Sequence, residues 1–128
     1  GYLIGWGLLA IQAQRLVRRV CTECAETHPL SLDEARVLDI DSAECAEIRR
    51  GKGCERCGQT GYRGRVGLYE LLLMSDEIRH QIASGADANS IRDTAIKGGM
   101  RTLRQDALEK LRAGLTTPEE VVRVTRAV

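Results

Sequence analysis

Two short cysteine motifs constrain this sequence more than any other feature. Two residues separate Cys21 from Cys24, and the same spacing recurs at Cys54 and Cys57, with 29 residues between the two pairs. A C-x-x-C turn directs two thiolates toward one point, and two such turns supply the four ligands of a tetrahedral zinc ion. We therefore predict that these four cysteines hold a structural Zn²⁺. A redox-active dithiol arrangement and a four-cysteine iron site are the alternatives.

The other candidate ligands fit this site less well. Cys45 is the fifth cysteine and has no partner at ligand spacing, so we expect a small, partly buried side chain rather than a catalytic thiol. The two histidines, His28 and His80, lie far apart in the sequence. His28 is the better placed to replace a cysteine, but four thiolates already complete the coordination. Such a closed site builds structure and leaves no position for a substrate.

Size and composition favour a small protein that profits from a metal. The chain has 128 residues, no phenylalanine and one tryptophan, so we expect an aliphatic core that a metal site would reinforce. The net charge is +1 with acids and bases interleaved, which argues against a nucleic-acid-binding surface. No apolar run is long enough to span a membrane. The chain starts with glycine rather than methionine, and we expect a fragment of a longer protein.

Hydrophobic periodicity predicts helices in the first half of the chain. Residues 7–20 carry apolar side chains at three- and four-residue steps, which is typical of an amphipathic helix. Ser31 and Glu34 form a capping-box pattern that predicts a short helix over residues 32–38. A second short helix is expected over residues 43–49.

The second half of the sequence predicts one strand followed by helices. Residues 66–73 are apolar on both faces except at Glu70, as in a strand buried inside a larger sheet. Glu70 is either a functional carboxylate or half of a salt bridge, and we favour a salt bridge to an arginine such as Arg65. Four amphipathic helices joined by short loops are then predicted to form a bundle. Their expected starts lie near Ser75, Asp87 or Asn89, Thr102 and Thr117.

The chain shows no catalytic signature of its own. Residues 58–67 are rich in glycine but lack the spacing and the Lys-Ser/Thr of a P-loop, so we favour a tight turn beside the metal over a phosphate cradle. No P-loop occurs anywhere in the chain, and we expect no ATP hydrolysis by this chain alone. The arginine-rich stretches at residues 15–19 and 63–65 are interpreted as solvated faces, with docking to a protein or a phosphate as the alternative.

Four separated blocks of the sequence resemble one protein family. They are residues 13–21, 53–72, 99–108 and 114–125, which occur in the right order and include the cysteine spacing. Together they resemble the C-terminal end of the type II secretion and type IV pilus assembly ATPases, from about residue 8 onward. Residues 1–7 fit that family poorly.

The resemblance implies a concrete function. Such proteins are cytoplasmic, hexameric motors docked on the bacterial inner membrane, where they contact secretion or pilus platform proteins. Their RecA-like core carries the P-loop, an acidic motif for Mg²⁺ and a histidine motif upstream of this region, so ATP and Mg²⁺ belong to the full-length parent. ATP hydrolysis drives pseudopilus or pilus extension. By position, the resemblance makes the four cysteines zinc ligands, and it transfers no nucleotide ligand to this chain.

The combined prediction is an α+β, mostly helical fold. Residues 1–20 would be the last helix of the RecA-like core, residues 21–60 the tetracysteine zinc subdomain, residues 61–73 a strand returning to the core, and residues 74–128 the C-terminal helical subdomain. We expect the rest of that core to lie outside this chain. Arg63 and Arg65 would lie where the metal subdomain meets the core and could face a neighbouring subunit of the homohexamer.

Three functional interpretations compete. The first is the C-terminal segment of a secretion ATPase, with type II secretion slightly ahead of pilus assembly. The second is a free-standing zinc-ribbon module that binds protein or nucleic acid, against which stand the balanced charge and the buried strand; we expect no nucleic-acid partner. The third is a chaperone-type cysteine-rich domain, because residues 54–61 resemble its C-x-x-C-x-G-x-G repeat. Here the glycine phase is off, and the first cysteine pair lacks the repeat.

Overall fold

The computed structural model describes residues 10–41, 43 and 45–125 of this α+β protein. This part of the chain contains two two-stranded sheets, in which β1 pairs with β4 and β2 pairs with β3. None of the described helices is long and apolar enough to cross a membrane. The strands are β1 (Ala10–Val20), β2 (Ala25–Pro29), β3 (Glu47–Gly51) and β4 (Tyr62–Leu73), and the helices are α1 (Leu32–Leu38), α2 (Asp76–Ala83), α3 (Ala88–Lys97), α4 (Leu103–Arg112) and α5 (Pro118–Thr125).

Local sequence signals account for the helix starts. The Ser31 hydroxyl accepts the Glu34 N–H, and the Glu34 carboxylate accepts the Ser31 N–H, both at 3.0 Å, which confirms the predicted capping box of α1. Ser75 and Asp87 cap α2 and α3 through their side-chain oxygens, which accept the N–H groups of Ile78 and Ser90. α5 begins at Pro118, as the fixed φ of proline favours.

The helix predicted over residues 7–20 is wrong for the described part, because Ala10–Val20 forms the strand β1. Residues 7–9 lie outside the described residues. Val17 and Val20 are buried as a helical stripe would require, but Leu16, which belongs to the same stripe, is 43% exposed. Pairing with the distant strand β4 supplies the backbone hydrogen bonds that a helix would have made locally.

The helix predicted over residues 43–49 is also wrong, because Glu47–Gly51 forms β3. This strand runs antiparallel to β2, with Ala25 opposite Gly51. β2 begins directly after Cys24, and two residues separate the end of β3 from Cys54. The ladder therefore brings the two cysteine motifs to the same end of this small sheet.

The chain divides into two compact units. One unit combines the described residues up to Gln14 with Tyr69–Leu103, and the other combines Arg15–Leu68 with the chain from Arg104 onward. The predicted bundle of four C-terminal helices is divided between these units: α2 and α3 belong to the first unit, whereas α5 and all of α4 after its first residue belong to the second. The assignment of four functional segments stays a prediction. The second unit has an aliphatic core that includes Val17, Leu38, Ile48, Leu68, Leu111 and Val121.

Candidate metal centre

The four predicted ligand side chains meet in the second unit. The Sγ atoms of Cys21, Cys24, Cys54 and Cys57 all lie within 4.8 Å of one another. Three of their separations are 3.7 to 3.8 Å. Four thiolates at about 2.3 Å from a tetrahedral zinc ion are about 3.8 Å apart, so the sulfur spacing fits a metal of that size. The same separations are far longer than the roughly 2.05 Å of a disulfide, and the cysteines are free thiols.

Backbone amides of the second cysteine turn point at one of the sulfurs. The N–H groups of Cys54 and Gly61 donate to the Cys57 Sγ at 3.3 and 3.2 Å. Burial raises the pKa of Cys57, but these amides and the neighbouring thiols outweigh burial and lower that pKa to about 6. Burial raises the pKa of Cys24 to about 12. The turn is thus built to stabilise negative charge on sulfur, and a divalent cation would deprotonate the coordinating thiols.

Two glycines allow the polypeptide segments beside the sulfurs to pack tightly. A Cβ on Gly61 would lie 2.4 Å from the Gly51 carbonyl oxygen, and a Cβ on Gly51 would lie 2.3 Å from the Gly61 carbonyl oxygen. Gly61 also has φ +81°, which disfavours other residues. Its carbonyl accepts the Cys21 N–H at 3.0 Å. The glycine-rich stretch therefore makes a close turn next to the cysteines, as the sequence predicted.

The other candidate side chains do not join this cluster. Cys45 is buried and its thiol donates to the Glu47 carbonyl at 3.4 Å; burial raises its pKa. His28 is exposed on β2. Arg56 is exposed and has no hydrogen bond or ion pair with the described residues. The four cysteines are therefore the group that the described structure offers to a metal.

A buried glutamate that was not predicted from the sequence anchors a hydrogen-bond network in the second unit. Glu120 is 1% exposed, and its carboxylate accepts the Arg18 backbone N–H at 2.7 Å and the Arg123 Nε–H at 2.9 Å. Burial alone would raise the pKa of Glu120, but these hydrogen bonds lower it to about 2. The Arg18 guanidinium stacks 4.0 Å above the Tyr62 ring, and the Tyr62 hydroxyl is 2.7 Å from the Thr117 hydroxyl. The sequence signal was the capping pattern of Thr117 and Glu120, which pointed to a helix start and not to this network.

Glu70 forms the salt bridge that the sequence favoured, but with a different arginine. Its side chain is 9% exposed, and its Oε1 lies 2.7 Å from the Arg92 Nη1 in the first unit, without the alignment of a hydrogen bond. Arg65 is exposed near the start of β4. The partner was not predictable locally, because Arg92 comes from α3.

Comparison with known proteins finds relatives over nearly the whole chain. Residues 2–123 match the family described as type II/IV secretion system protein. The chain is 46% identical over 121 residues to the type IV pilus assembly ATPase PilB of Thermus thermophilus, which covers 93% of this chain and 14% of that protein. It is 42% identical over 126 residues to the type II secretion system protein E of Pectobacterium carotovorum, covering 98% of this chain and 24% of that protein.

A further relative is the type II secretion system ATPase E of Vibrio cholerae, at 38% identity over 125 residues, or 98% of this chain and 25% of that protein. The chain thus spans between about one seventh and one quarter of the length of these relatives. Since the family match and these identities extend over nearly the whole sequence, the chain belongs to the type II/IV secretion system protein family, and the predicted resemblance is confirmed. The match begins at residue 2 and not near residue 8, so the expectation that residues 1–7 fit the family poorly is wrong.

Proposed function

We propose that this chain is the zinc-stabilised C-terminal part of a hexameric ATPase that powers type II protein secretion at the cytoplasmic face of the bacterial inner membrane. The chain supplies structure and subunit contacts, and the parent protein supplies the residues for ATP and Mg²⁺. The observation that carries the proposal is four sulfurs within 4.8 Å of one another in a sequence of the secretion family.

The zinc assignment rests on donor chemistry and spacing. Four thiolates in a closed arrangement are typical of structural zinc, and metal binding to such a site contributes directly to folding. Elemental analysis of the purified chain should find one zinc per molecule, and chelation should lower the thermal midpoint. Cys57→Ser should lose the metal, whereas the matched variant Cys45→Ser should keep it, because Cys45 lies outside the cluster. Metal-free protein with a melting curve indifferent to chelators would contradict the assignment.

An exposed apolar strand face supports a larger parent. Tyr69, Leu71 and Leu73 of β4 are 44%, 46% and 65% exposed, and alternation along a strand places them on one face. A strand of a larger sheet would leave such a face uncovered when most of the parent is missing. We expect the full-length parent to hydrolyse ATP, and we expect no ATP hydrolysis by this chain alone. Measurable turnover by the chain alone would overturn the proposed location of the catalytic parts.

Arg63 and Arg65 are proposed as subunit-contact residues. Both are exposed near the start of β4, and their side chains have no hydrogen-bond or ion-pair partner within the described part of the chain. In the full-length protein, charge reversal at both positions should lower hexamer assembly or the ATPase rate. Arg56→Glu, at another exposed arginine without a partner, is the matched control. An unchanged hexamer with unchanged turnover refutes the role.

Type IV pilus assembly is the second candidate, favoured by the 46% identity to the Thermus thermophilus pilus ATPase. The two candidates differ in the machinery that the parent serves, so complementation separates them. The full-length gene should restore protein secretion in a strain that lacks the secretion ATPase. It should not restore pilus extension in a strain that lacks the pilus ATPase. Restoration of pili alone would select the second candidate. Salt-sensitive binding of the isolated chain to DNA or RNA would instead favour a free-standing zinc-ribbon module.

A further inference from the structure

An apolar groove lies between α1 and α5, two helices of the second unit that contact each other. The groove has a volume of about 370 Å³. Val37 in its wall is 55% exposed, and Leu32, the residue before the lining residue Asp33, is 80% exposed. Neighbouring exposed aliphatic side chains beside a groove are typical of a docking surface. The apolar lining consists of Val37, Leu38, Pro118 and Val122.

The rim of this groove is acidic. Asp33 and Glu34 border it on α1, and Glu119 borders it on α5. Arg50 of β3 pairs with both glutamates and so fixes their positions. The Asp33 carboxylate has no hydrogen-bond or ion-pair partner among the residues that the structure describes. The rim therefore has three carboxylates and one guanidinium, which already pairs with two of the carboxylates. Its net charge is negative.

We infer that this groove receives a basic amphipathic helix of a partner protein. Two helices that form an apolar trough offer the surface on which a third helix lays its apolar face. The acidic rim is complementary to lysine and arginine residues that flank such a face, and this complementarity selects a cationic partner. The same charge repels phosphate groups and anionic lipid headgroups. The inference adds a binding surface to the proposed function and does not depend on the metal or on ATP hydrolysis.

Two synthetic helical peptides of roughly 15 residues serve as probes. Both carry the same leucine pattern, and one has a lysine-rich polar face where the other has a glutamate-rich face. Titration into the isotopically labelled full chain is followed by NMR. The lysine peptide should shift backbone resonances of α1 and α5 in a saturable way. The glutamate peptide should leave them in place.

Three variants locate the binding surface. Val37→Ser removes an aliphatic group from the groove, and Asp33→Lys reverses the unpaired rim charge. Each should weaken binding of the lysine peptide about fivefold. Asp93→Lys is the matched control, because Asp93 is an exposed helical aspartate of the other unit without a described partner, and it should bind like wild type. Asp33→Asn replaces the reversal if Asp33→Lys disturbs α1 in circular dichroism.

Specific outcomes overturn the inference. Equal binding of both peptides means nonspecific adhesion. Equal losses of lysine-peptide affinity in Asp33→Lys and Asp93→Lys mean general electrostatic attraction. Shifts confined to other elements mean that the groove is not the site. Sedimentation that shows self-association of the chain, abolished by Val37→Ser, assigns the groove to a second copy and not to a partner protein. Shifts at α1 and α5 with losses only in the two groove variants support the inference.

Discussion

The contact between Gly51 and Gly61 predicts that a substitution at Gly61, next to the cysteines, strongly lowers stability and metal affinity. In Gly61→Ala, the new methyl group would lie 2.4 Å from the Gly51 carbonyl oxygen. Backbone atoms cannot turn away as a side chain would, so the two segments must separate. Separation would strain two bonds made by Gly61, its N–H to the Cys57 sulfur and its carbonyl to the Cys21 N–H.

Gly58→Ala measures the conformational cost alone, so its comparison with Gly61→Ala isolates the steric part of this effect. Gly58 has φ +64° and Gly61 has φ +81°, but a Cβ on Gly58 meets no atom within 4 Å. Both variants therefore incur the cost of alanine in a left-handed conformation, about 1 kcal/mol. Gly61→Ala adds a steric overlap and strained hydrogen bonds, for about 2 kcal/mol more. We expect a total near 3 kcal/mol for Gly61→Ala and about 1 kcal/mol for Gly58→Ala.

Urea unfolding followed by circular dichroism measures both losses, and competition with a chromophoric chelator measures metal affinity. Metal affinity should fall in Gly61→Ala and remain close to wild type in Gly58→Ala. Equal destabilisation of the two variants, or intact metal affinity in Gly61→Ala, would refute the reasoning from the close approach.

Two ion-pair predictions test the buried carboxylates. Because the folded pKa of Glu120 is about 2, below the ordinary 4.5, its stabilisation is present above pH 5 and is lost as the pH falls toward 2. We expect Glu120→Gln to lower the free energy of unfolding by about 2 kcal/mol at pH 7, after discounting for two half-exposed arginine partners. In urea unfolding, the difference between this variant and wild type should vanish near pH 2. A difference that stays constant with pH contradicts the assignment. In the first unit, Arg92→Met should speed hydrogen exchange in α3 more than Glu70→Gln does, because Glu70 is 9% exposed and Arg92 is 41% exposed, so only the arginine is hydrated when left alone. The reverse order would contradict this.

The sequence predicted best those features that depend on residues close together in the chain. The capping box of α1 requires only Ser31 and Glu34, which lie three positions apart. Duplicated C-x-x-C spacing likewise identified four side chains that the structure brings within 4.8 Å of one another. In both cases the chemistry is written in a short local pattern, so no knowledge of distant partners was needed.

Features that depend on distant partners could not be predicted in this way. β1 carries an apolar spacing that suits a helix, and its pairing with β4 decides the outcome. Glu120 belongs to a capping pattern, yet its carboxylate binds Arg18, 102 positions away. Arg50 bridges α1 and α5 from β3, a strand that overlaps the helix predicted over residues 43–49. A local pattern shows which side chains have polar groups to satisfy, but it does not show which of the distant candidates will satisfy them.

The second unit is discontinuous, since residues 69–103 of the first unit interrupt it. During translation, all four cysteines leave the ribosome well before α5, whose Glu120 accepts the Arg18 amide. A nascent chain halted after residue 103 would already hold every sulfur ligand but would lack the carboxylate that buries against Arg18. Metal capture can therefore precede completion of the fold, and the cysteine cluster can act as an early anchor onto which the last helix closes.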